Sequence, residues 1–134
     1  MANSHETEIR VRYQETDNMG VVYYANYFVW FEVARTEYLR ALGISYTKLE
    51  ESGVFLMVVE ASCQYKASAR YDDIVRVVTW VSEMKNSSIS FDYKLFIEDK
   101  LIATGKSCHV FTNSSARPVR VPDEIRALPI LNQD

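Results

Sequence analysis

Residues 17–27 read Asp17-Asn18-Met19-Gly20-Val21-Val22-Tyr23-Tyr24-Ala25-Asn26-Tyr27. The hydrophobic period changes across this stretch, and the architecture follows from that change. Before it, Ile9, Val11 and Tyr13 alternate with Arg10, Arg12 and Gln14, the two-residue period of a short, half-buried strand. After it, Tyr27, Phe31, Ala34, Tyr38 and Leu42 recur at three- and four-residue spacing, which predicts a helix over residues 25–42. Glu32 with Arg35 and Glu37 with Arg40 read as i,i+3 charge pairs on that helix, and Gly43 supplies its stop. Residues 15–22 form the connecting loop, where Gly20 lets the backbone turn back sharply.

Further along the chain a second short helix is expected over residues 46–51. From Val54 the period returns to two. Phe55, Met57, Val59, Ala61, Cys63 and Tyr65 are expected on one face of a long strand. Residues 74–84, 89–97 and 101–111 supply three more, joined by hairpin turns at residues 85–87 and 98–100. The order is strand, long helix, then four long antiparallel strands, an α+β arrangement. The helix is apolar over more than a narrow stripe, so a strongly curved sheet wrapped around it would bury that surface. Phe96, Val75 and Val77 are expected to face outward, which hints at a partner subunit. Pro118, Pro122 and Pro129 all lie near the end, where a strand exit, a helical turn and a loose tail are expected.

Composition narrows the function. A chain of 134 residues is expected to be one domain, 1–134, with a core that needs no staples. A net charge of −3 argues against general nucleic-acid binding, which calls for a basic surface. Cys63 and Cys108 have no metal-type spacing and imply no disulfide framework, so a cytoplasmic protein without a metal site is expected. The N-terminal segment is polar and lacks the apolar region of a signal peptide. No apolar run reaches membrane-spanning length.

The chemistry is concentrated in residues 17–27. Asp17 sits in the loop, and unpaired N–H groups are expected at the helix start, at Tyr24 and its neighbours. The helix dipole favours developing negative charge there. A carboxylate beside an oxyanion-binding helix end suits acyl transfer to water. The N–H groups would hold the tetrahedral oxyanion, with Asp17 as general base or as nucleophile. Tyr23, Tyr24, Tyr27, Phe28, Trp30 and Phe31 could wall an acyl pocket. A lone aspartate in a glycine-containing loop serves most often as a turn or capping residue. An aromatic run at helical spacing is most often core. The residues alone leave both readings open.

The string 17–27, continued by Phe31-Glu32-Val33-Ala34-Arg35-Thr36-Glu37, resembles the hotdog thioesterases related to 4-hydroxybenzoyl-CoA thioesterase. It looks closest to the branch that includes the thioesterase encoded with the Tol-Pal envelope system. The family pattern, roughly Asp-x-x-Gly-(Val/Ile)-Val-x-(His/Tyr)-x-Asn-Tyr, is met at every fixed position, and the resemblance extends over essentially the whole chain. It implies a hotdog fold, a five-stranded antiparallel sheet wrapped around one long central helix. It also implies cofactor-independent hydrolysis of an acyl-CoA thioester, CoA being part of the substrate. Asp17 falls on the catalytic aspartate and Tyr24 on or next to the oxyanion N–H. Gly20, Val22, Tyr23 and Tyr27 are the expected substrate-pocket residues. A homodimer or homotetramer with active sites at the subunit interface is implied. Tyr24 stands where the Tol-Pal-type branch often has histidine, which leaves an aliphatic or an aromatic acyl group open.

Other residues carry less. His109 is expected to be a buried structural histidine, and His5 to lie in a mobile segment. Glu60 is expected to face solvent or the dimer seam. Asn26 is expected to bond the preceding loop. Lys66, Arg70, Lys85 and Lys106 are candidates for CoA phosphates, each also an ordinary surface charge. Three alternatives remain: acyl carrier protein as thioester donor, acyl-CoA binding without catalysis, and thioester dehydration. The last needs a positioned histidine, and none lies between His5 and His109.

Overall fold

A computed structural model describes residues 3–131; residues 1, 2 and 132–134, which include the end of the expected tail, lie outside the described residues. Strands β1 (His5–Arg10), β2 (Phe55–Tyr65), β3 (Ile74–Met84), β4 (Ser88–Ile97) and β5 (Lys100–Thr112) form one antiparallel sheet in the order β1-β3-β4-β5-β2. Helix α1 (Asn26–Ala41) packs on one face of this sheet. Helix α2 (Tyr46–Glu51) is capped by the Ser45 side chain and packs near β2, and a short α3 (Asp123–Arg126) follows the last strand.

Every second residue of the sheet supplies the core. Val77 pairs with Leu95, Thr79 with Tyr93 and Val81 with Phe91, and residues directly opposite in an antiparallel pair share a face. Against them α1 buries Tyr27, Trp30, Phe31, Ala34, Tyr38 and Leu39. Gly105 sets how closely the helix approaches. A Cβ at that position would lie 2.2 Å from Phe31 Cζ. The Phe31 ring stacks on Tyr93 at a centroid distance of 4.2 Å, so an aromatic sandwich occupies the space a side chain would need.

Several expectations change in the folded chain. The first strand starts earlier and stops at Arg10. Tyr13 belongs to a 3-10 turn, Tyr13–Glu15, and is 77% exposed. The cause is the Glu15 carboxylate, which accepts the Arg12 N–H at 2.8 Å and curls the chain off the sheet edge. His5 is part of β1, opposite Thr79, with its ring stacked on Tyr38. Val75 and Val77 face the core and are fully buried, because Val75 lies opposite Ile9 of β1 and Val77 opposite Leu95 of β4, both on the core side of the sheet. Phe96 does face outward, under the Arg76 guanidinium.

Strand β2 does not keep one face from Phe55 to Tyr65. A bulge between Val58 and Glu60 inserts one residue and exchanges the two faces. Leu56 and Cys63 both pack on the core, while Met57 and Val59 are exposed. The pair Glu37–Arg40 forms as expected. Glu32–Arg35 does not: Glu32 is exposed, and the Arg35 side chain turns inward to the hydroxyl of Tyr93.

Candidate active site

The loop carrying Asp17 is closed on itself. Thr16 and Val22 form a bridge across its mouth. The Asp17 N–H donates to Val21 O at 2.9 Å, and Gly20 N donates to Asp17 O at 3.1 Å. Asp17 Oδ1 accepts the Met19 N–H at 2.9 Å, the side-chain turn that aspartate makes well. Gly20 completes the reversal at φ +81°, a conformation that favours glycine. Asp17 is half-buried, and its Oδ2 takes no hydrogen bond among the described residues.

Glu15 fastens this loop to α1. Its backbone carbonyl accepts from Tyr23 N at 2.8 Å and from Asn26 Nδ2 at 2.9 Å, so Asn26 bonds the preceding loop as the sequence suggested. The Glu15 carboxylate is itself buried and accepts the Trp30 indole N–H at 2.9 Å. Two turns of helix are thereby tied to the residue two positions before Asp17.

The helix end offers free donors. Tyr24 N and Ala25 N donate to no acceptor among the described residues, and Ala25, the N-cap, has no side chain to cap with. The Tyr65 hydroxyl donates to Tyr24 O at 3.0 Å. That carbonyl belongs to the same peptide plane as the Ala25 N–H, so Tyr65 orients this donor. Burial and the neighbouring Cys63 push the Tyr65 phenol up to about 12, and it remains a donor at neutral pH.

A cleft of about 320 Å³ opens at this helix end, lined by Val22, Tyr24, Tyr27, Tyr65, Lys66 and the segment 67–68. Three of the residues singled out from sequence, Val22, Tyr24 and Tyr27, meet there. Gly20 and Tyr23 do not line it; Tyr23 lies against Tyr24 at a ring distance of 4.7 Å. Asp17 adjoins the cleft through the bridge at Val22 and is not in its wall. Sequence reasoning missed Tyr65, whose place next to Tyr24 comes from the pairing of β2 and has no local signal.

The four basic candidates separate. Lys66 lines the cleft, and Arg70 Nη1 reaches Gly20 O at 3.5 Å, over the Asp17 loop. Lys106 lies 3.8 Å from Asp92, and Lys85 lies in the β3–β4 turn. His109 is fully buried in the core. Burial, reinforced by Arg35, pulls its imidazole down to about 3, which suits a neutral structural histidine. Among the described residues no cluster of His, Cys, Asp and Glu could hold a metal ion.

Residues 11–128 match the thioesterase-like superfamily. The chain belongs to this superfamily. It is 38% identical over 128 residues to the acyl-CoA thioesterase YbgC of Haemophilus influenzae, covering 93% of each chain. It is 34% identical over 116 residues to a putative esterase of Aquifex aeolicus, covering 87% of this chain and 90% of that one. The structure superposes on the DHNA-CoA thioesterase of Staphylococcus aureus with a TM-score of 0.85 and 37% identity, covering 87% of this chain and 80% of that one. The fold is the hotdog expected from the sequence, and the chain is an enzyme of the thioesterase class.

Proposed function

We propose that this thioesterase hydrolyses an acyl-CoA thioester to the free acid and CoA, without a cofactor, at the junction of the Asp17 loop and the α1 N-terminus. The observation that carries the reading is the closed Asp17 loop, tied through Glu15 to a helix end with free Tyr24 and Ala25 N–H groups. Those donors take the oxyanion of the tetrahedral intermediate. Asp17 either deprotonates the attacking water or attacks the carbonyl itself, giving an anhydride that water then opens. In both routes the C–S bond breaks, CoA leaves as thiolate, and water supplies the oxygen and the protons. Lys66 and Arg70 are the basic side chains near enough to meet CoA phosphates.

The assembly we assign is a homodimer joined at β2. That strand is the sheet edge next to β5, and it exposes Met57, Val58 and Val59, an apolar edge that a monomer would have to protect. Among the described residues no helix is long and apolar enough to cross a membrane. The two unpaired cysteines, Cys63 and Cys108, support a cytoplasmic setting. Within the superfamily we place the chain in the 4-hydroxybenzoyl-CoA thioesterase group, near the Tol-Pal-associated branch. The relationship to YbgC supports this placement.

The test is release of free thiol from a panel of aliphatic and aromatic acyl-CoAs, with Asp17→Asn measured beside the wild type. Loss of activity by roughly a hundredfold or more in a folded variant is expected, the size typical for an acid–base group. Equal turnover in the variant removes Asp17 from the mechanism. No turnover on any CoA ester shifts the donor to acyl carrier protein or the function to binding.

A further inference from the structure

Arg35 is a charged side chain without a charged partner. No carboxylate among the described residues lies within ion-pair distance of it. Its Nη1 is 3.4 Å from the Tyr93 hydroxyl, and its buried Nε donates to nothing among the described residues. The groups around it are neutral: Tyr46 is a second phenol that favours the charged form of Arg35, and Tyr93 Oη meets Ser107 Oγ at 2.6 Å, which in turn meets His109 Nε2 at 2.7 Å. A guanidinium carries five donors, and one partly withdrawn from water gains from a further acceptor or an anion facing it.

The surroundings say where such an acceptor would sit. Arg35 lines a partly open cleft of about 90 Å³ together with Phe28, Phe31, Val58, Ala61 and Ser107. Phe28, Phe31 and Arg35 follow one another at i, i+3 and i+7, a single stripe along α1. The stripe runs away from the helix end where the thioester carbonyl would be held. Helical rise puts the Arg35 backbone roughly 13 Å from that of Asn26, and the side chain leans back toward the helix N-terminus. On its other side Arg35 shares a separate cavity with Glu32 and Glu50. Both are exposed, and neither forms an ion pair with it.

We propose that Arg35 is the anchor for the far end of the acyl group, so that the cleft between α1 and β2 takes acyl chains ending in a hydrogen-bond acceptor, a carboxylate above all. The proposal rests on the acyl thioesterase reading. A plain alkyl end would displace water from the guanidinium and offer nothing in return, and this asymmetry between polar and apolar ends gives discrimination.

The experiment compares length-matched pairs, hexanoyl-CoA with adipoyl-CoA and octanoyl-CoA with suberoyl-CoA, on wild type, Arg35→Met and Arg35→Lys. It measures kcat/KM and, with the non-hydrolysable thioether analogues, Kd by calorimetry. In the wild type the carboxyl-terminated member of at least one pair should be favoured by roughly tenfold or more, as expected of a charge-assisted hydrogen bond in a cleft. Arg35→Met should bring that ratio to near one, and Arg35→Lys should keep part of it. Equal values for both members of both pairs in the wild type overturn the proposal, as does an unchanged ratio in Arg35→Met. If the thioethers show the preference but no ester is hydrolysed, the anchor stands and the hydrolase reading fails. If Arg35→Met does not fold, the wild-type ratio decides.

Discussion

The Glu15 carboxylate and the Trp30 indole N–H meet in a buried hydrogen bond of 2.9 Å, and through it the loop before Asp17 is held to the second turn of α1. The same carboxylate accepts the Arg12 N–H on its other oxygen. Both oxygens are therefore filled by donors, which is what makes a buried carboxylate tolerable.

Glu15→Gln should be destabilising for that reason. The amide can accept one of the two bonds but turns its NH₂ toward the other donor. A loss of about 2 kcal/mol is expected, within the range for hydrogen bonds to charged groups, together with reduced turnover as the Asp17 loop loosens. Urea denaturation measures the first and thiol release the second. An unchanged midpoint would show that the loop does not depend on this carboxylate.

Gly105→Ala tests the close approach of helix and sheet. The added methyl would meet Phe31 Cζ at 2.2 Å and Ser62 O at 3.1 Å. Phe31 cannot swing away because it lies on Tyr93. Overpacking of this kind costs about 1–3 kcal/mol, so the variant should melt several degrees lower. A melting temperature equal to that of the wild type would mean that α1 can shift freely.

Acid sensitivity should trace to His109. Its folded value is about 3, against an ordinary unfolded value of about 6.5. The unfolded chain therefore binds the proton first. The stability is fully present above pH 6.5 and falls as pH drops from there toward 3, by about 1.4 kcal/mol per unit. Between pH 6.5 and 5 few carboxylates titrate, so a His109→Gln variant should show a flatter stability profile in that window. Parallel profiles for the two proteins would refute the assignment.

The exposed edge of β2 should govern assembly. Val59 is 58% exposed on that strand, and a charge placed on a sheet edge opposes pairing with a second copy. Val59→Asp is expected to convert a dimeric or larger species into a smaller one, as read by sedimentation. A wild type that already sediments as a monomer would rule out the β2 interface.

Much of the fold was legible because it rests on local patterns. The helical repeat from Tyr27 to Leu42 predicted α1 to within one residue at each end. The valines and aromatics of residues 74–97 marked β3 and β4. The same reasoning misjudged Tyr13, which has the right parity for a strand but follows a chain that Glu15 pulls into a turn. It also assigned a charge pair to Glu32 and Arg35 on spacing alone, whereas the sheet behind α1 offered Arg35 the Tyr93 hydroxyl.

The sequence by itself determined α1, α2 and the four later strands, the Asp17–Gly20 loop and its place before a helix, since periodicity and turn chemistry act between near neighbours. Only the tertiary structure decided that Val75 and Val77 face inward, that the β2 bulge exchanges its faces, that Tyr65 aligns the peptide at the helix start, and that Arg35 is left without an acid. Each of these depends on strand register or on packing between segments far apart in the chain, and a shift of one residue in register would reverse every inward and outward position on the strand concerned.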